Sequence, residues 1–148
     1  DEDFGKLEQI LNNNVDDKFN FICLDVPNAY LERYIERLGE LRKLCPNHTI
    51  IAGNVVTNEM TEELLLRGAD IIKIQYNGNI KDLKWAVKSA GKAKVVIAGG
   101  VKKDEKLFLK QVKEIMQAGC IGLAIGRNIW QSKNPLEITK KIKKVIWG

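Results

Sequence analysis

The order of the apolar segments constrains the fold of this chain more than any other feature. Short, nearly continuous apolar runs alternate with longer segments of helical periodicity, and a new run begins about every 20 to 30 residues. Five runs predict β-strands, at residues 19–25, 49–53, 70–74, 94–98 and 121–125. A strand followed by an amphipathic helix is a βα unit, and repeated βα units predict a parallel sheet with right-handed crossovers.

Capping signals mark where the intervening helices begin and end. Asn134-Pro135-Leu136-Glu137 combines a capping side chain, a first-turn proline and a glutamate three residues on, which predicts the start of a last helix. Asn79 with Asp82 predicts another start. A leading helix is predicted at about residues 4–11, and the polar run 12–14 ends it. Three glycines each follow a predicted helix and supply the left-handed stop that glycine adopts most easily: Gly68, Gly91 and Gly119.

Five βα units are compatible with two architectures. A complete barrel needs eight units and about 250 residues, whereas five units complete a doubly wound open sheet. Nearly continuous apolar strands are typical of a sheet covered on both faces. We therefore expect residues 1–148 to form a single α/β domain with a flavodoxin-like three-layer fold, helices on both faces and strand order 2-1-3-4-5. The alternative is a partial TIM barrel whose apolar edges are closed by dimerisation, in which case we expect a homodimer.

The composition limits the classes of partner. A net charge of +5 on 148 residues is mildly basic, which favours an anionic small molecule over nucleic acid. No apolar run approaches the roughly 18 residues of a membrane span, so no membrane partner is expected. The cysteines Cys23, Cys45 and Cys120 cannot all pair and lack metal-ligand spacing, which predicts reduced thiols, a cytoplasmic location and no metal. The acidic opening differs from a secretory signal, and the absence of an initial Met indicates a processed or engineered chain.

In both architectures the functional site lies at the carboxyl ends of the strands. Lys73 interrupts an apolar strand there, and desolvation of a buried lysine favours the neutral amine that forms a Schiff base. The alternative is an edge lysine that prevents aggregation, or one whose ammonium reaches water while its stem is buried. The residues that the sequence places at these strand ends are Asp25, Asn54, Lys73, Gly99, Gly100, Gly126 and Arg127.

Two glycine-rich loops follow the last two predicted strands. Gly99-Gly100 and Gly126-Arg127 let backbone N–H groups approach a phosphate, and Arg127 adds a bidentate cation. The alternative is that these glycines serve only tight turns. We expect a small phosphorylated ligand or an inorganic anion here. The chain has no nucleotide-binding GxGxxG motif and no P-loop, and no cofactor is expected.

Three segments of the first half follow a family pattern: residues 21–26 (FICLDV), 48–57 (HTIIAGNVVT) and 68–73 (GADIIK). Through them, residues from about 4 to 74 resemble the barrels of GMP reductase and its IMP dehydrogenase relatives. The resemblance implies a catalytic cysteine loop after residue 73, but Tyr76-Asn77-Gly78-Asn79 leads straight into a predicted helix. The catalytic Cys and Thr and the later glutamate of that family have no counterparts, so a GMP reductase-like oxidoreductase is not expected.

Three segments of the second half follow another pattern: residues 73–78 (KIQYNG), 95–100 (VVIAGG) and 124–131 (AIGRNIWQ). Through them, residues from about 68 to 148 resemble the archaeal-type class I (Schiff-base) fructose-bisphosphate aldolases. The resemblance implies that Lys73 is the imine-forming lysine of the sixth barrel strand. It also implies an aspartate on the first strand, which has no counterpart, and a tyrosine on the fifth, where Gly53 and Asn54 stand. The implied phosphate-binding residues are Gly99, Gly100, Gly126 and Arg127, and further candidates are Asp25, Asn54 and Tyr76.

The two resemblances meet at residues 68–73, a stretch that both families share. Together with the lack of the first three barrel strands, this indicates a chimera of TIM-barrel fragments. We expect an engineered or truncated scaffold without efficient catalysis that retains a sugar-phosphate or anion site. The alternative is a class I aldolase, a lyase that acts on a sugar phosphate through a Schiff base at Lys73.

Overall fold

The computed structural model describes residues 2–12 and 19–148, and its strands and helices alternate as the sequence predicts. In chain order the elements are α1 (Glu2–Asn12), β1 (Phe21–Asp25), α2 (Glu32–Leu44), β2 (Thr49–Val55), α3 (Asn58–Leu66), β3 (Ile71–Gln75), α4 (Ile80–Ser89), β4 (Lys94–Ala98), α5 (Glu105–Gln117), β5 (Gly122–Ala124), α6 (Arg127–Trp130) and α7 (Pro135–Trp147). All five predicted strands are present. The polar run 12–14 was predicted to end α1. Asn12 is the last residue of that helix, and Asn13 and Asn14 lie outside the described residues.

The predicted caps form hydrogen bonds. Asn134 Oδ1 accepts from the Glu137 N–H at 3.2 Å at the start of α7, and Asn79 Oδ1 accepts from the Lys81 N–H at 2.9 Å at the start of α4. The three predicted stop glycines have positive φ angles of 101°, 55° and 99°: Gly68, Gly91 and Gly119. These boundaries depend on groups within a few residues of each other, and so they can be read from the sequence.

The five strands are parallel and pair in the order β1-β2-β3-β4-β5. This confirms the α/β class and the five-stranded parallel sheet. The flavodoxin-like order 2-1-3-4-5 is wrong, because the order is that of successive strands of a barrel, as in the partial-barrel alternative. Each crossover adds its strand on the same side as the previous one, so the winding direction never reverses.

The helices cover only one face of the sheet. Alternate strand positions, such as Ile50, Ile72 and Val95, are buried in the main core, which includes side chains of α2, α3 and α4. The other positions form what we call the open face: Phe21, Cys23, Asp25, Thr49, Ile51, Gly53, Ile71, Lys73, Gln75, Lys94, Val96, Ala98, Gly122 and Ala124. Of these, Gly53 alone is buried.

The prediction of helices on both faces is therefore wrong. The strands are short, so the polar residues that recur at alternate positions looked like isolated interruptions of apolar runs. Asp25, Lys73 and Gln75 all belong to the open face, where they have access to solvent. The sheet is amphipathic, with one dry face and one mixed face.

A smaller core lies between the last two long helices. Phe108 and Val112 of α5 pack against Ile138 and Ile142 of α7. Among residues 2–12 and 19–148, no helix has both the length and the apolar character that a membrane crossing requires.

Arg42 of α2 ties the amino ends of β2 and β3 together. Nη1 donates to three carbonyl groups within residues 45–48, at 2.9 to 3.1 Å. Nε and Nη2 donate to the Gly68 carbonyl at 3.0 and 2.8 Å, and Nη2 also pairs with the Asp70 carboxylate. A Cβ on Gly68 would lie 2.7 Å from Arg42 Cγ, so glycine is required there both for space and for its positive φ. We call this arrangement the Arg42 clasp.

Candidate functional site

Lys73 and Asp25 form an ion pair on the open face. Lys73 Nζ donates to Asp25 Oδ2 at 2.5 Å, and the lysine side chain is 15% exposed. The strand register explains the contact, because Asp25 of β1 is paired with Gly53 of β2, and Gly53 is paired with Lys73 of β3. Gly53 has no side chain, so the lysine reaches the aspartate across the intervening strand.

Glycine is required at position 53 for the close approach of β2 and β3. A Cβ there would lie 2.5 Å from the Lys73 carbonyl oxygen and 2.8 Å from Lys73 Cβ. Both distances are shorter than real Cβ contacts allow, and one of the two atoms belongs to the backbone. In the sequence, Gly53 stands out only because the aldolase resemblance implies a tyrosine at this place. Its steric role becomes visible only with the strand register.

Cys23 lies on the same face of β1 as Asp25. Burial raises the pKa of the Cys23 thiol, the Asp25 charge raises it further and the Lys73 charge opposes both. The thiol is therefore protonated at neutral pH and is a weak nucleophile. The open face thus carries one amine and one carboxylate in direct contact, with a thiol nearby.

Tyr34 of α2 links the carboxyl ends of β1 and β2. Its hydroxyl donates to the Leu24 carbonyl at 2.8 Å, with the Gly53 carbonyl at 3.2 Å as a second acceptor, and it accepts from the Gly53 N–H at 2.8 Å. Burial raises the pKa of Tyr34 to about 12, so the phenol keeps its proton. Helical spacing alone predicts a packing residue here. The missed signal is that a buried tyrosine hydroxyl requires hydrogen-bond partners.

A cleft of about 470 Å³ opens at the carboxyl ends of β2 to β5. The two cations that line it are Lys103 and Arg127, and no carboxylate of the described residues lines it. Two cations without a carboxylate favour an anionic ligand. The predicted site residues that line the cleft are Asn54, Tyr76, Gly99, Gly100 and Arg127.

The other predicted residues lie outside this cleft. Lys73 and Asp25 lie on the open face beside the cleft. The two sites are neighbours along β3, because Gln75, two residues after Lys73, lines the cleft. Gly126 is covered by the Trp130 ring, since a Cβ there would lie 2.1 Å from a ring carbon. The predicted site therefore divides into an ion pair and a neighbouring polar cleft.

The two glycines of the first predicted phosphate loop differ in the structure. The Gly99 N–H donates to the Ala124 carbonyl at 2.8 Å and so belongs to the pairing of β4 with β5. A Cβ on Gly100 would meet nothing within 4 Å, so a ligand can approach this backbone closely. Gly100 and the exposed Arg127 are the two members of the predicted phosphate set that are open to a ligand.

Asn128 was not among the predicted site residues, and it fastens the two loops together. Its Oδ1 accepts from the Lys103 N–H at 2.9 Å, and its Nδ2 donates to the Val101 carbonyl at 3.3 Å. Asn128 is buried, although it directly follows an exposed arginine. A polar side chain between Arg127 and Ile129 was the available sequence signal.

Asn54 and Tyr76 contribute polar groups on the β2 and β3 side of the cleft. Asn54 Oδ1 is buried and has no hydrogen-bond donor among the described residues, so a ligand hydroxyl can satisfy it. Burial raises the pKa of Tyr76, and the Glu114 charge raises it further. In the described part of the chain, no group of three or more His, Cys, Asp or Glu side chains is placed to hold a metal ion.

Two family models match the sequence. The model of the DeoC/LacD family aldolases matches residues 45–132, and that of the IMP dehydrogenase / GMP reductase domain matches residues 1–80. Each match spans more than half of the chain. The chain belongs to both families. The aldolase match begins before residue 68, the start that we predicted, and the two matches overlap at residues 45–80. This overlap contains the shared stretch 68–73, so the double resemblance is confirmed.

Each relative, from either family, matches only part of this chain. The class 1 fructose-bisphosphate aldolase of Thermoproteus tenax is 41% identical over an alignment of 105 residues, with 65% of this chain and 40% of the relative covered. The GMP reductase of Aeromonas hydrophila is 51% identical over 74 residues, 50% of this chain and 21% of the relative. GMP reductase 2 of Homo sapiens is 56% identical over 72 residues, 49% of this chain and 20% of the relative. The chain thus spans less than half the length of these relatives.

Solved aldolases share the fold. A crystal structure of an archaeal fructose 1,6-bisphosphate aldolase aligns with a TM-score of 0.73 and 30% identity, over 86% of this chain and 57% of that one. A second archaeal aldolase, whose catalytic Lys is covalently bound to the carbinolamine intermediate of the substrate, aligns with a TM-score of 0.73 and 29% identity. Together with the strand order, these alignments show a partial TIM barrel of the aldolase type.

The connection between β3 and α4 stands where the GMP reductase resemblance implies a cysteine loop. It consists of residues 76–79, and Asn79 is already the cap of α4. The part of the chain that matches GMP reductase contributes Asp25 and Asn54 to the candidate site, and both matches include Lys73.

Proposed function

We propose that this chain is a barrel-derived scaffold that keeps a Schiff-base-forming lysine, Lys73, beside a sugar-phosphate pocket of the class I aldolase type. The contact of Lys73 Nζ with Asp25 Oδ2 at 2.5 Å carries the proposal, because it places a proton acceptor on the amine. Support comes from the aldolase family match, which includes Lys73, and from an aligned aldolase whose catalytic Lys is bound to a carbinolamine.

Asp25 supplies the proton transfers that imine formation requires. The Lys73 ammonium gives a proton to the Asp25 carboxylate, and the neutral amine attacks the substrate carbonyl to form a carbinolamine. The Asp25 carboxyl then protonates the carbinolamine hydroxyl, which leaves as water. The product is an iminium ion paired with the Asp25 carboxylate, so the charge of the starting ion pair is kept.

The adjacent cleft holds the phosphate of the substrate. Arg127 and Lys103 provide positive charge, and the open backbone at Gly100 allows close approach. The buried Asn54 Oδ1 accepts a hydrogen bond from a hydroxyl group of the ligand. A phosphorylated hydroxyketone or hydroxyaldehyde combines all of these features.

Carbon–carbon bond cleavage is the step for which this chain is poorly equipped. It requires an acid–base group on the substrate hydroxyl, and the family resemblance implies a tyrosine on the fifth barrel strand. Gly53 and Asn54 stand at that position, and neither can exchange a proton at neutral pH. General acid–base help contributes about 10²- to 10⁴-fold to a rate, so we propose imine formation without efficient turnover.

Borohydride trapping with dihydroxyacetone phosphate tests the proposal. Intact mass and peptide mapping should locate one reduced adduct on Lys73, which Lys73→Ala abolishes. Lys94→Ala is the matched control, because Lys94 is an exposed lysine on the same open face. Asp25→Asn should slow trapping by about 10²-fold or more through loss of the proton acceptor. Labelling that persists undiminished in Lys73→Ala contradicts the proposal.

A retained anion site without imine chemistry is the second candidate function, and the cluster of Arg127, Lys103 and Gly100 favours it. Unphosphorylated dihydroxyacetone should form the Lys73 adduct more slowly than dihydroxyacetone phosphate does. Arg127→Ala should remove most of the difference in rate between the two ketones. If inorganic phosphate raises the melting temperature but no adduct forms with either ketone, the anion site alone is the function.

A further inference from the structure

The Tyr34 hydroxyl bridges the main chains of β1 and β2 at their carboxyl ends. The side chain is 6% exposed, and its hydroxyl donates to the Leu24 carbonyl while it accepts from the Gly53 N–H, both at 2.8 Å. A hydroxyl that donates to one strand and accepts from the next fastens the two strands to each other. Tyr34 therefore fixes the position of the end of β1 relative to β2.

The main-chain groups that Tyr34 binds are those next to the ion pair. Leu24 directly precedes Asp25, so the carbonyl that accepts from Tyr34 belongs to the peptide group that leads into Asp25. Gly53 is the residue across which Lys73 reaches Asp25, because it is paired with both. One side chain of α2 thus holds the backbone at Asp25 and at the glycine between the two charged residues.

The ion pair tolerates little movement of β1. Its donor lies on β3 and its acceptor on β1, on either side of β2, so their separation is set by how each strand pairs with β2. A hydrogen bond between nitrogen and oxygen extends to about 3.2 Å, so a shift of roughly 1 Å in the end of β1 breaks the contact of 2.5 Å between Lys73 Nζ and Asp25 Oδ2. The Tyr34 bridge opposes such a shift.

Packing alone does not account for a tyrosine at this position. The other buried positions of α2 are aliphatic, among them Ile35 and Leu38, and a phenylalanine ring would fill the same space as the Tyr34 ring. The hydroxyl adds a donor that stays protonated, because burial raises the pKa of Tyr34 to about 12. Replacement of tyrosine by phenylalanine therefore separates the hydrogen bonds from the packing.

We infer that Tyr34 is a positioning residue of the candidate site: its hydroxyl holds Asp25 in contact with Lys73, and it acts on imine formation through Asp25. The second half of this inference rests on the proposed function. The first half concerns the geometry of the ion pair, and it holds whether or not an imine forms. Tyr34→Phe loosens the ion pair while it leaves the core filled.

Borohydride trapping with dihydroxyacetone phosphate measures the effect on the reaction. Tyr34→Phe should slow formation of the Lys73 adduct at least tenfold, because the proton acceptor is no longer held on the amine. Tyr30→Phe is the matched control and should leave the rate within twofold of that of the parent chain. The Tyr30 hydroxyl accepts from the Val56 and Thr57 N–H groups at 3.1 and 3.0 Å, so it binds the connection between β2 and α3 instead.

A double variant separates positioning from a general loss of structure. The chain that carries both Tyr34→Phe and Asp25→Asn should trap no more slowly than Asp25→Asn alone, because the carboxylate that Tyr34 positions is already absent. Ile35→Val removes one methylene group from the same part of α2 and shows how trapping responds to lost stability. All rates are measured at a temperature at which circular dichroism shows every variant folded. The inference is overturned if the two single effects multiply in the double variant, or if Ile35→Val slows trapping equally at the same loss of stability in urea.

Nuclear magnetic resonance tests the hold on the ion pair without any ketone. Lys73→Met should move the ¹³Cγ resonance of Asp25, and this displacement should fall by at least half when Tyr34→Phe is also present, whereas Tyr30→Phe should preserve it. If this pattern is seen but the parent chain forms no adduct, the proposed function fails and the hold of Tyr34 on the ion pair stands. If the parent chain forms the adduct but Tyr34→Phe leaves the displacement unchanged, the inference fails and the proposed function stands.

Discussion

At the scale of single residues, Gly53 is the position on which the candidate site depends most directly. It pairs with Asp25 on one side and Lys73 on the other, and its N–H donates to Tyr34. The missing side chain is what lets Lys73 Nζ cross β2 to reach the carboxylate. Stability and the geometry of the site are therefore coupled at this residue.

Gly53→Ala should lower the free energy of unfolding by about 1 to 3 kcal/mol, as for other overpacked positions. The added Cβ would meet the Lys73 carbonyl oxygen at 2.5 Å, and a backbone atom cannot rotate away. Urea denaturation measures the change. Gly39→Ala is the control, because Gly39 lies inside α2 and a Cβ there would meet no atom within 4 Å. This substitution should raise the free energy of unfolding by about 0.5 to 1 kcal/mol, since alanine favours the helix more than glycine does. Changes of the same sign in both variants would contradict the steric argument.

What the sequence predicts at this scale is the residue and not its partner. Lys73 is recognisable because a lysine between two isoleucines is unusual. Asp25 was selected by its position at a strand end, but its contact with Lys73 spans 48 residues and depends on the register of three strands. Whether these two residues form a working site stays a prediction that the trapping experiment decides.

At the scale of elements, the helix starts rest on local caps that can be tested one at a time. Asn134 Oδ1 accepts from the Glu137 N–H at the start of α7, and Asn134 Nδ2 donates to the Glu137 carboxylate at 3.4 Å. α7 packs through Ile138 and Ile142 on α5, so fraying at its first turn loosens the smaller core.

Asn134→Ala should cost about 0.5 to 2 kcal/mol in the free energy of unfolding, whereas Asn134→Gly should cost only a few tenths. Alanine removes the capping acceptor and disfavours the non-helical cap conformation, while glycine leaves the first turn open to water. Urea denaturation of both variants, with hydrogen exchange of the Glu137 amide, checks the difference. An equal loss in both variants would mean that the Asn134 side chain does not cap α7.

The difference between local signals and contacts between βα units explains which parts of the fold the sequence predicts. Helix stops at Gly68, Gly91 and Gly119 and the five strand segments are local, and they are confirmed. Strand order depends on contacts between units, and the sequence could not separate a sheet that reverses its winding from one that continues. Polar residues at alternate positions of β1 and β3 were the available signal for a face left without helices.

At the scale of the whole molecule, buried ionisable groups couple stability to alkaline pH. Burial raises the pKa of Cys120 from 9.0 to about 12, and burial raises that of Tyr34 from 10.0 to about 12. The unfolded chain therefore releases these protons at lower pH than the folded chain. Their contribution to stability is complete below about pH 9 and is lost as the pH rises toward about 12.

Cys120→Ala should flatten this alkaline loss of stability. The unfolding midpoint in urea, measured between about pH 8 and about pH 11, should fall less steeply in the variant than in the parent chain, because one of the two groups no longer titrates. Comparison of slopes corrects for any constant cost of the smaller side chain. Parallel curves for the two proteins would show that the Cys120 thiol titrates alike in the folded and unfolded states.

The Arg42 clasp bears on how such a molecule can arise. Apart from Asp70, the groups that the guanidinium binds are main-chain carbonyls of residues 45–48 and of Gly68. An arginine that recognises main-chain atoms places little demand on the side chains around it, and the two positions at which this clasp depends on residue identity are Gly68 and Asp70. Two of its partners, Gly68 and Asp70, lie inside the stretch 68–73 that both families share. A crossover between two genes at this stretch therefore keeps the fastening of β2 to β3 intact, which makes it a permissive junction for recombining barrels of different ancestry.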